Sequence, residues 1–253
     1  MKTFLAACQE LVFPSFCLGC GQRLPRRRLP LFCAGCRAGI TPLTSPRCPC
    51  CGIPFLAGED HLCGACLRQD FAFDLARAAL IYQPPVTGLI SALKFQGQLT
   101  GLASLAALAR ESRGFQELSD PELILPVPLH PHRLRQRGFN QALLLARVCF
   151  FEHRALIHPG VLQRHRATLP QTGLGGPLRR RNLQGAFSLI QPQMVKNKKI
   201  LLVDDVFTTG STVQECARIL RRAGADRIEI FTLARALPPP HPSPANQKVT
   251  NCI

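Results

Sequence analysis

The sequence contains no tryptophan, one tyrosine and two methionines in 253 residues. An aromatic platform for stacking single-stranded bases would therefore have to be built from its 15 phenylalanines. Acidic side chains are also scarce, 15 against 31 Lys+Arg, which leaves a formal charge of +16. Such a balance favours anionic partners, the phosphates of a small substrate or of nucleic acid, and charge alone does not choose between them. Part of it is simply a solvated basic surface. No apolar run approaches the roughly 18 residues of a membrane-spanning helix, so no span is expected. A secretory signal is missing too: Leu5-Ala6-Ala7-Cys8 resembles a lipoprotein cleavage box, but only residues 3–7 could form its apolar part. Residues 4–13 read instead as a short amphipathic helix, and the protein reads as cytoplasmic.

Cysteine, in contrast, is abundant: 13 in all, nine of them between Cys17 and Cys66. Four pairs are separated by two residues each: Cys17/Cys20, Cys33/Cys36, Cys48/Cys51 and Cys63/Cys66. The spacers from Cys20 to Cys33 and from Cys51 to Cys63 are twelve and eleven residues long. This is the pattern of two successive zinc ribbons, each a four-thiolate site whose paired knuckles grip one Zn2+ from tight turns. Gly21 and Gly52 follow the knuckles and supply the left-handed turn that aims backbone N–H groups at sulfur. Cys50 is left over, and His61 is near enough to replace a ligand although four thiolates already suffice. A disulfide framework would require export. A module this small has little core, so metal would contribute most of its folding energy. Cys8, Cys149, Cys216 and Cys252 read as buried or incidental thiols.

Beyond Cys66 the texture changes to alternating strands and helices. Strands are expected at residues 75–82, 122–127, 155–162, 186–190, 200–203 and 227–233, and helices at 86–95, 99–110, 139–151 and 212–224. The predicted fold is α/β: a mostly parallel sheet with helices on both faces and ligands at the carboxyl ends of its strands. Residues 163–182 follow no clean period and read as a long basic loop able to close over a site. The expected organisation is a helix in 1–14, a double zinc ribbon in 15–70, an α/β domain in 71–237 and a disordered proline-rich tail in 238–253.

The most informative stretch places Asp204 and Asp205 at the end of an apolar strand, directly before Thr208-Thr209-Gly210-Ser211-Thr212 and a helix. The first N–H groups of that helix have no internal partner and can hold a phosphate. Gly210 lets the backbone approach, and the four hydroxyls add donors. A carboxylate pair beside this cradle would repel a bare phosphate but accept hydrogen bonds from ribose hydroxyls, which implies a sugar phosphate. The loop lacks the lysine of a nucleoside triphosphate loop and the spacing of a dinucleotide fingerprint. If residues 124–127 form a central strand, the loop at Leu129, His130 and His132 opens on the same edge. Its amides, with the arginines of HRLRQRGFNQ, could hold a pyrophosphate.

Val203-Asp204-Asp205-Val206 followed by Thr208 to Thr212 resembles the phosphoribosyl pyrophosphate loop of type I phosphoribosyltransferases. The whole order of parts resembles the ComF family. The matching residues are the cysteine pairs with Arg47-Cys48-Pro49 and Cys51-Gly52, Tyr82, Leu93-Lys94-Phe95, Pro126 to Leu129 and Arg137 to Gln141. Gln171, Arg181-Asn182, Gly185 to Phe187 and the phosphoribosyl loop complete the set. The resemblance implies binding of phosphoribosyl pyrophosphate with Mg2+. Asp204 and Asp205 would act on the ribose, and Val206, Thr208, Thr209, Gly210, Ser211, Thr212, Lys94, Leu129, His130 and Arg137 would bind substrate. It also implies a setting in natural competence, with single-stranded DNA and a DNA-uptake helicase as expected partners. Three readings stay open: an active transferase, a DNA-uptake factor that does not turn over substrate, and a sensor of phosphoribosyl pyrophosphate. The acceptor and a general base are not written in the sequence.

Overall fold

A computed structural model of the chain describes residues 14–25, 29–68, 71–166 and 183–238. Several expectations lie outside them: the helix at 4–13, Cys8 and Cys252, most of the basic loop with Gln171 and Arg181-Asn182, and the tail beyond Pro238.

Four strands form a parallel sheet in the order β1 (Leu75–Ile81), β6 (Arg227–Arg235), β5 (Lys199–Phe207), β2 (Leu123–Pro126). Its strands read as apolar runs rather than alternations because both faces are covered. On one face Leu201, Val203, Phe231 and Leu233 pack with Ile90 and Leu93 of α3 (Val86–Gln96), Leu105 and Ala109 of α4 (Leu102–Glu111) and Leu145 of α7 (Gln141–Cys149). On the other face Ile200, Leu202, Ile228 and Ile230 meet Val213, Ala217 and Leu220 of α8 (Ser211–Arg222). Between them run α5 (Arg113–Gln116), α6 (Pro131–Arg137) and a two-stranded antiparallel pair, β3 (Leu162–Arg164) with β4 (Phe187–Leu189).

The cysteine-rich segment, which includes α1 (Ala34–Ala38) and α2 (Gly64–Arg68), docks on the free edge of β1. Leu43 N donates to Ala79 O (3.0 Å) and Ile81 N to Thr41 O (2.9 Å), so a short antiparallel segment extends the sheet. Ala76 N also reaches Cys50 O (2.7 Å). Arg47, 3% exposed, pairs with Glu117, which Arg77 Nε also reaches at 2.8 Å. A buried guanidinium is tolerable only with such a partner.

The structure corrects four expectations. Residues 155–162 do not form one strand: a 3-10 turn covers Phe151–Leu156, only Ile157 bridges to Ile124, and Leu162 begins β3. The strand at 122–127 is not central but an edge strand of the sheet, although that bridge shields its far side. The helix expected over 139–151 is shorter, since Asn140 caps it by accepting from Ala142 N at 2.9 Å. Arg164 is not loop charge but sits in β3 at 7% exposure, over the Phe187 ring.

Gly52 has a left-handed φ of 71°, and a Cβ there would lie 2.6 Å from Ala76 O. Gly52→Ala is therefore expected to destabilise the protein by about 1–3 kcal/mol, through strain and overpacking, measured by thermal unfolding of the zinc-loaded chain.

Candidate functional site

β5 delivers Asp204 and Asp205 to the carboxyl edge of the sheet, one register step from the end of β2, where Pro126 lies opposite Val203. Successive side chains of a strand point to opposite faces. Asp205, 5% exposed, turns toward α3 and α7: Lys94 Nζ forms an ion pair with its Oδ2, and Gln141 Nε2 is 3.4 Å from its Oδ1. Gln141 Oε1 in turn accepts from Arg137 Nη1 at 2.6 Å, and the Arg137 guanidinium lies 5.8 Å from the centre of the exposed Phe95 ring. Burial lowers the pKa of Arg137 while the Asp205 charge opposes the shift. Lys94, Arg137 and Asp205, far apart in sequence, thus form one charged cluster.

Asp204 folds back, its Oδ1 accepting from Asp205 N at 2.9 Å. Burial pushes its carboxyl well above the ordinary value of 3.8, and the Asp205 charge adds to the shift. Its register neighbour on β6 is Thr232, fully buried with an unsatisfied hydroxyl. The end of β5 therefore holds a polar interior that its own residues leave incompletely satisfied.

Beyond Phe207 the chain passes through Thr208, Thr209 and Gly210 into α8. Gly210 precedes the helix at φ 74°, and a Cβ there would fall 2.6 Å from Phe207 Cζ, so both backbone and ring demand glycine. Thr209 Oγ1 and Ser211 Oγ are 2.8 Å apart, Thr208 and Thr209 are exposed, and Thr212 lies in the first helical turn. With a helix of twelve residues behind it, this end carries the positive pole of the dipole. Val206 stays half-buried under the loop.

Leu129 and His130 join the site by position, in the loop after β2. Asn140 Nδ2 ties that loop to α7 by donating to Val127 O at 3.0 Å. His130 serves as the cap of α6, its Nδ1 accepting from His132 N at 3.2 Å. Gln141 was missed as a site residue; its signal is a polar side chain buried on the first turn of an otherwise apolar helix.

The eight paired cysteines gather into two quartets, Cys17/Cys20/Cys33/Cys36 and Cys48/Cys51/Cys63/Cys66, with all sulfurs of a quartet within 4.8 Å of one another. The arrangement is sequential rather than cross-braced. Thiolates about 2.3 Å from a zinc ion have sulfur–sulfur edges of about 3.8 Å. The observed separations of 3.7 Å (Cys20–Cys33), 3.6 Å (Cys48–Cys66) and 3.7 Å (Cys51–Cys63) fit that figure and exclude disulfides. Amides of Gly19 and Cys33 point at Cys17 Sγ, and that of Cys63 at Cys48 Sγ, as thiolates require. His61 stacks on Phe55 with ring centres 3.9 Å apart and is no ligand. Cys149 and Cys216 are buried, and burial pushes the Cys149 thiol up to about 12.

Comparison with known proteins agrees with this geometry. Residues 8–67 match the double zinc ribbon domain, and residues 168–253 match the phosphoribosyl transferase domain. The chain is 38% identical over 212 residues to "Competence protein F" of Haemophilus influenzae, covering 81% of this chain and 90% of that protein. The chain belongs to the ComF family. Other relatives are "DNA utilization protein YhgH" of Escherichia coli O157:H7, 36% identical over 242 residues (90% of this chain, all of that one), and "Competence protein ComFC" of Streptococcus pneumoniae, 26% identical over 231 residues (87% and 99%). The chain thus has a parallel-sheet fold of phosphoribosyltransferase type beside a double zinc ribbon. Among its described residues no helix is long and apolar enough to cross a membrane.

A carboxyl with a raised pKa in the folded state weakens the fold as pH rises above its unfolded value, and the full penalty is present above the folded one. Asp204→Asn is therefore expected to raise the melting temperature of the ligand-free protein at pH 7 by a few degrees. The gain should shrink as pH falls and the wild-type carboxyl protonates, a pattern that thermal scans across pH will check.

Proposed function

We propose that the chain binds phosphoribosyl pyrophosphate with Mg2+ at the carboxyl edge of β5 and β2 and transfers its 5-phosphoribosyl group to an acceptor. The observation that carries this reading is the carboxylate pair set directly before an anion cradle, with a lysine held against one of the two acids. A phosphate cradle without acids would suit many anions, whereas the acids restrict it to a phosphate that carries hydroxyls. The match to the phosphoribosyl transferase domain supports the same choice.

In this reading the 5-phosphate sits on the first amides of α8 and the hydroxyls of Thr208, Thr209, Ser211 and Thr212, close to the backbone at Gly210. The ribose hydroxyls donate to Asp204 and Asp205. As Asp205 takes up a hydroxyl, Lys94 is released toward the pyrophosphate, with Arg137 and the backbone at Leu129 and His130 on the same edge. The bond from the anomeric carbon to the pyrophosphate oxygen breaks, its electron pair leaves with pyrophosphate, and the acceptor supplies the new pair from the opposite side. Bound Mg2+ would supply charge neutralisation on the pyrophosphate, and Asp204 is the acid with no cationic side chain already paired to it in a described ion pair. Positive charge builds on the ribose as the bond breaks, so two carboxylates beneath it stabilise the transition state more than the ground state.

Calorimetric titration of phosphoribosyl pyrophosphate with Mg2+ tests the reading. Binding to the wild type is expected to fall about 100-fold or more in Asp204→Asn/Asp205→Asn, since two charge-assisted contacts are lost. Absence of binding by folded, zinc-loaded wild type would reject it.

The names of the relatives, a competence protein and a DNA utilization protein, support placing this chemistry in the cytoplasmic handling of imported DNA. A second reading, direct contact with single-stranded DNA, is favoured by α6, which carries Arg133 and Arg135 on its surface beside the site. Affinity for a single-stranded oligonucleotide should then fall steeply with salt, and Arg133→Ala/Arg135→Ala should lower the logarithmic slope by about 1.4. A salt-independent signal, or no binding, would leave the small-molecule reading alone.

A further inference from the structure

Arg235 ends β6 almost completely buried, at 6% exposure, between the two functional parts of the molecule. Its Nη1 donates to Cys51 O at 2.6 Å, and its Nη2 lies 3.7 Å from Cys51 Sγ. Its guanidinium stacks on Phe207 with 4.3 Å to the ring centre. Phe207 is the last residue of β5, register partner of Arg235, and the edge of Phe73 braces it at a centroid distance of 6.3 Å. The Phe207 ring in turn lies so close beneath Gly210 that it would block a side chain there. A continuous series of contacts therefore runs from a knuckle of the second cysteine quartet to Gly210, the left-handed residue directly before α8.

The chemistry of the contacts makes this series more than filler. A guanidinium removed from water needs an anionic partner, and four thiolates around one divalent ion carry two more negative charges than the ion neutralises. Arg235 is a buried cation in direct contact with that surplus. Zn2+ held by the second quartet would fix Cys51 O and Sγ where both guanidinium prongs use them, and without it Arg235 would lose its anchor, Phe207 its cap and Gly210 its support. The first quartet packs elsewhere, with Leu31 N donating to Ser104 Oγ of α4 at 3.0 Å, and so provides an internal control.

We propose that Arg235 and Phe207 are positioning residues through which the second cysteine quartet holds the phosphate loop in its anion-binding shape, so that metal loss from that quartet loosens the loop. The consequence for ligand affinity rests on the sugar-phosphate reading above; the mechanical coupling does not. Linkage makes the effect reciprocal, so an occupied loop slows metal loss from the second quartet.

Hydrogen exchange of the amides at 208–213 tests this on the full zinc-loaded chain, with zinc counted in every sample. Arg235→Lys and Phe207→Leu are expected to keep two zinc ions and native exchange in the core of β5 and β6, while the loop exchanges about tenfold faster. Cys63→Ser should lose one zinc and show the same loop acceleration, whereas Cys17→Ser should lose one zinc and leave the loop unchanged. Unchanged loop exchange in Arg235→Lys, or equal acceleration in Cys17→Ser, would overturn the proposal. Should Cys63→Ser fail to fold, Arg235→Lys and Phe207→Leu against wild type still decide it. Calorimetry on the same samples keeps the two ideas apart: wild type that does not bind phosphoribosyl pyrophosphate rejects the functional reading, and the exchange comparison judges the coupling regardless.

Discussion

Two acids at the inner end of a strand covered on both faces impose the condition to which the neighbouring elements answer. Apolar residues along β5 make the strand dry, and the same dryness opposes charge at Asp204. The fold meets the condition on one face by bringing Lys94 from α3 and Gln141 from α7 to Asp205. On the other it leaves Asp204 protonation-prone, beside a Thr232 hydroxyl with no partner. Such incomplete satisfaction gives up stability locally.

Most of the stability has to come from elsewhere, and the sheet and the quartets divide that task. The parallel sheet buries apolar surface on both sides, while the cysteine-rich segment has almost no core and relies on its sulfurs. Their union is a strand edge. Residues 41–43 pair with β1, and Gly52 lets a knuckle approach the Ala76 carbonyl. The edge that an open sheet would leave exposed is thereby covered by the module that most needs support.

How far the sequence could be read differs by the range of the forces involved. Cysteine spacing announced both quartets because each knuckle is closed by neighbours in the chain. Asp204 to Thr212 was legible because strand, turn and helix cap are local. Strand 75–82 and helix 86–95 lie nearly where their local pattern predicts, whereas 155–162 does not: its apolar residues serve a 3-10 turn, one bridge and the start of β3. Arg164 was misjudged as loop charge because nothing nearby in the chain marks it for burial over Phe187.

By itself the sequence determined the two thiolate sites, the alternating α/β order and the carboxylate pair before its cradle, all of which depend on contacts between residues a few positions apart. Only the tertiary structure decided that Lys94, Arg137 and Gln141 converge on Asp205, that the quartets are sequential, and that Arg235 spans from Cys51 to Phe207. Those relations join residues separated by up to 184 positions, and no local spacing encodes which distant strands and helices will share an edge.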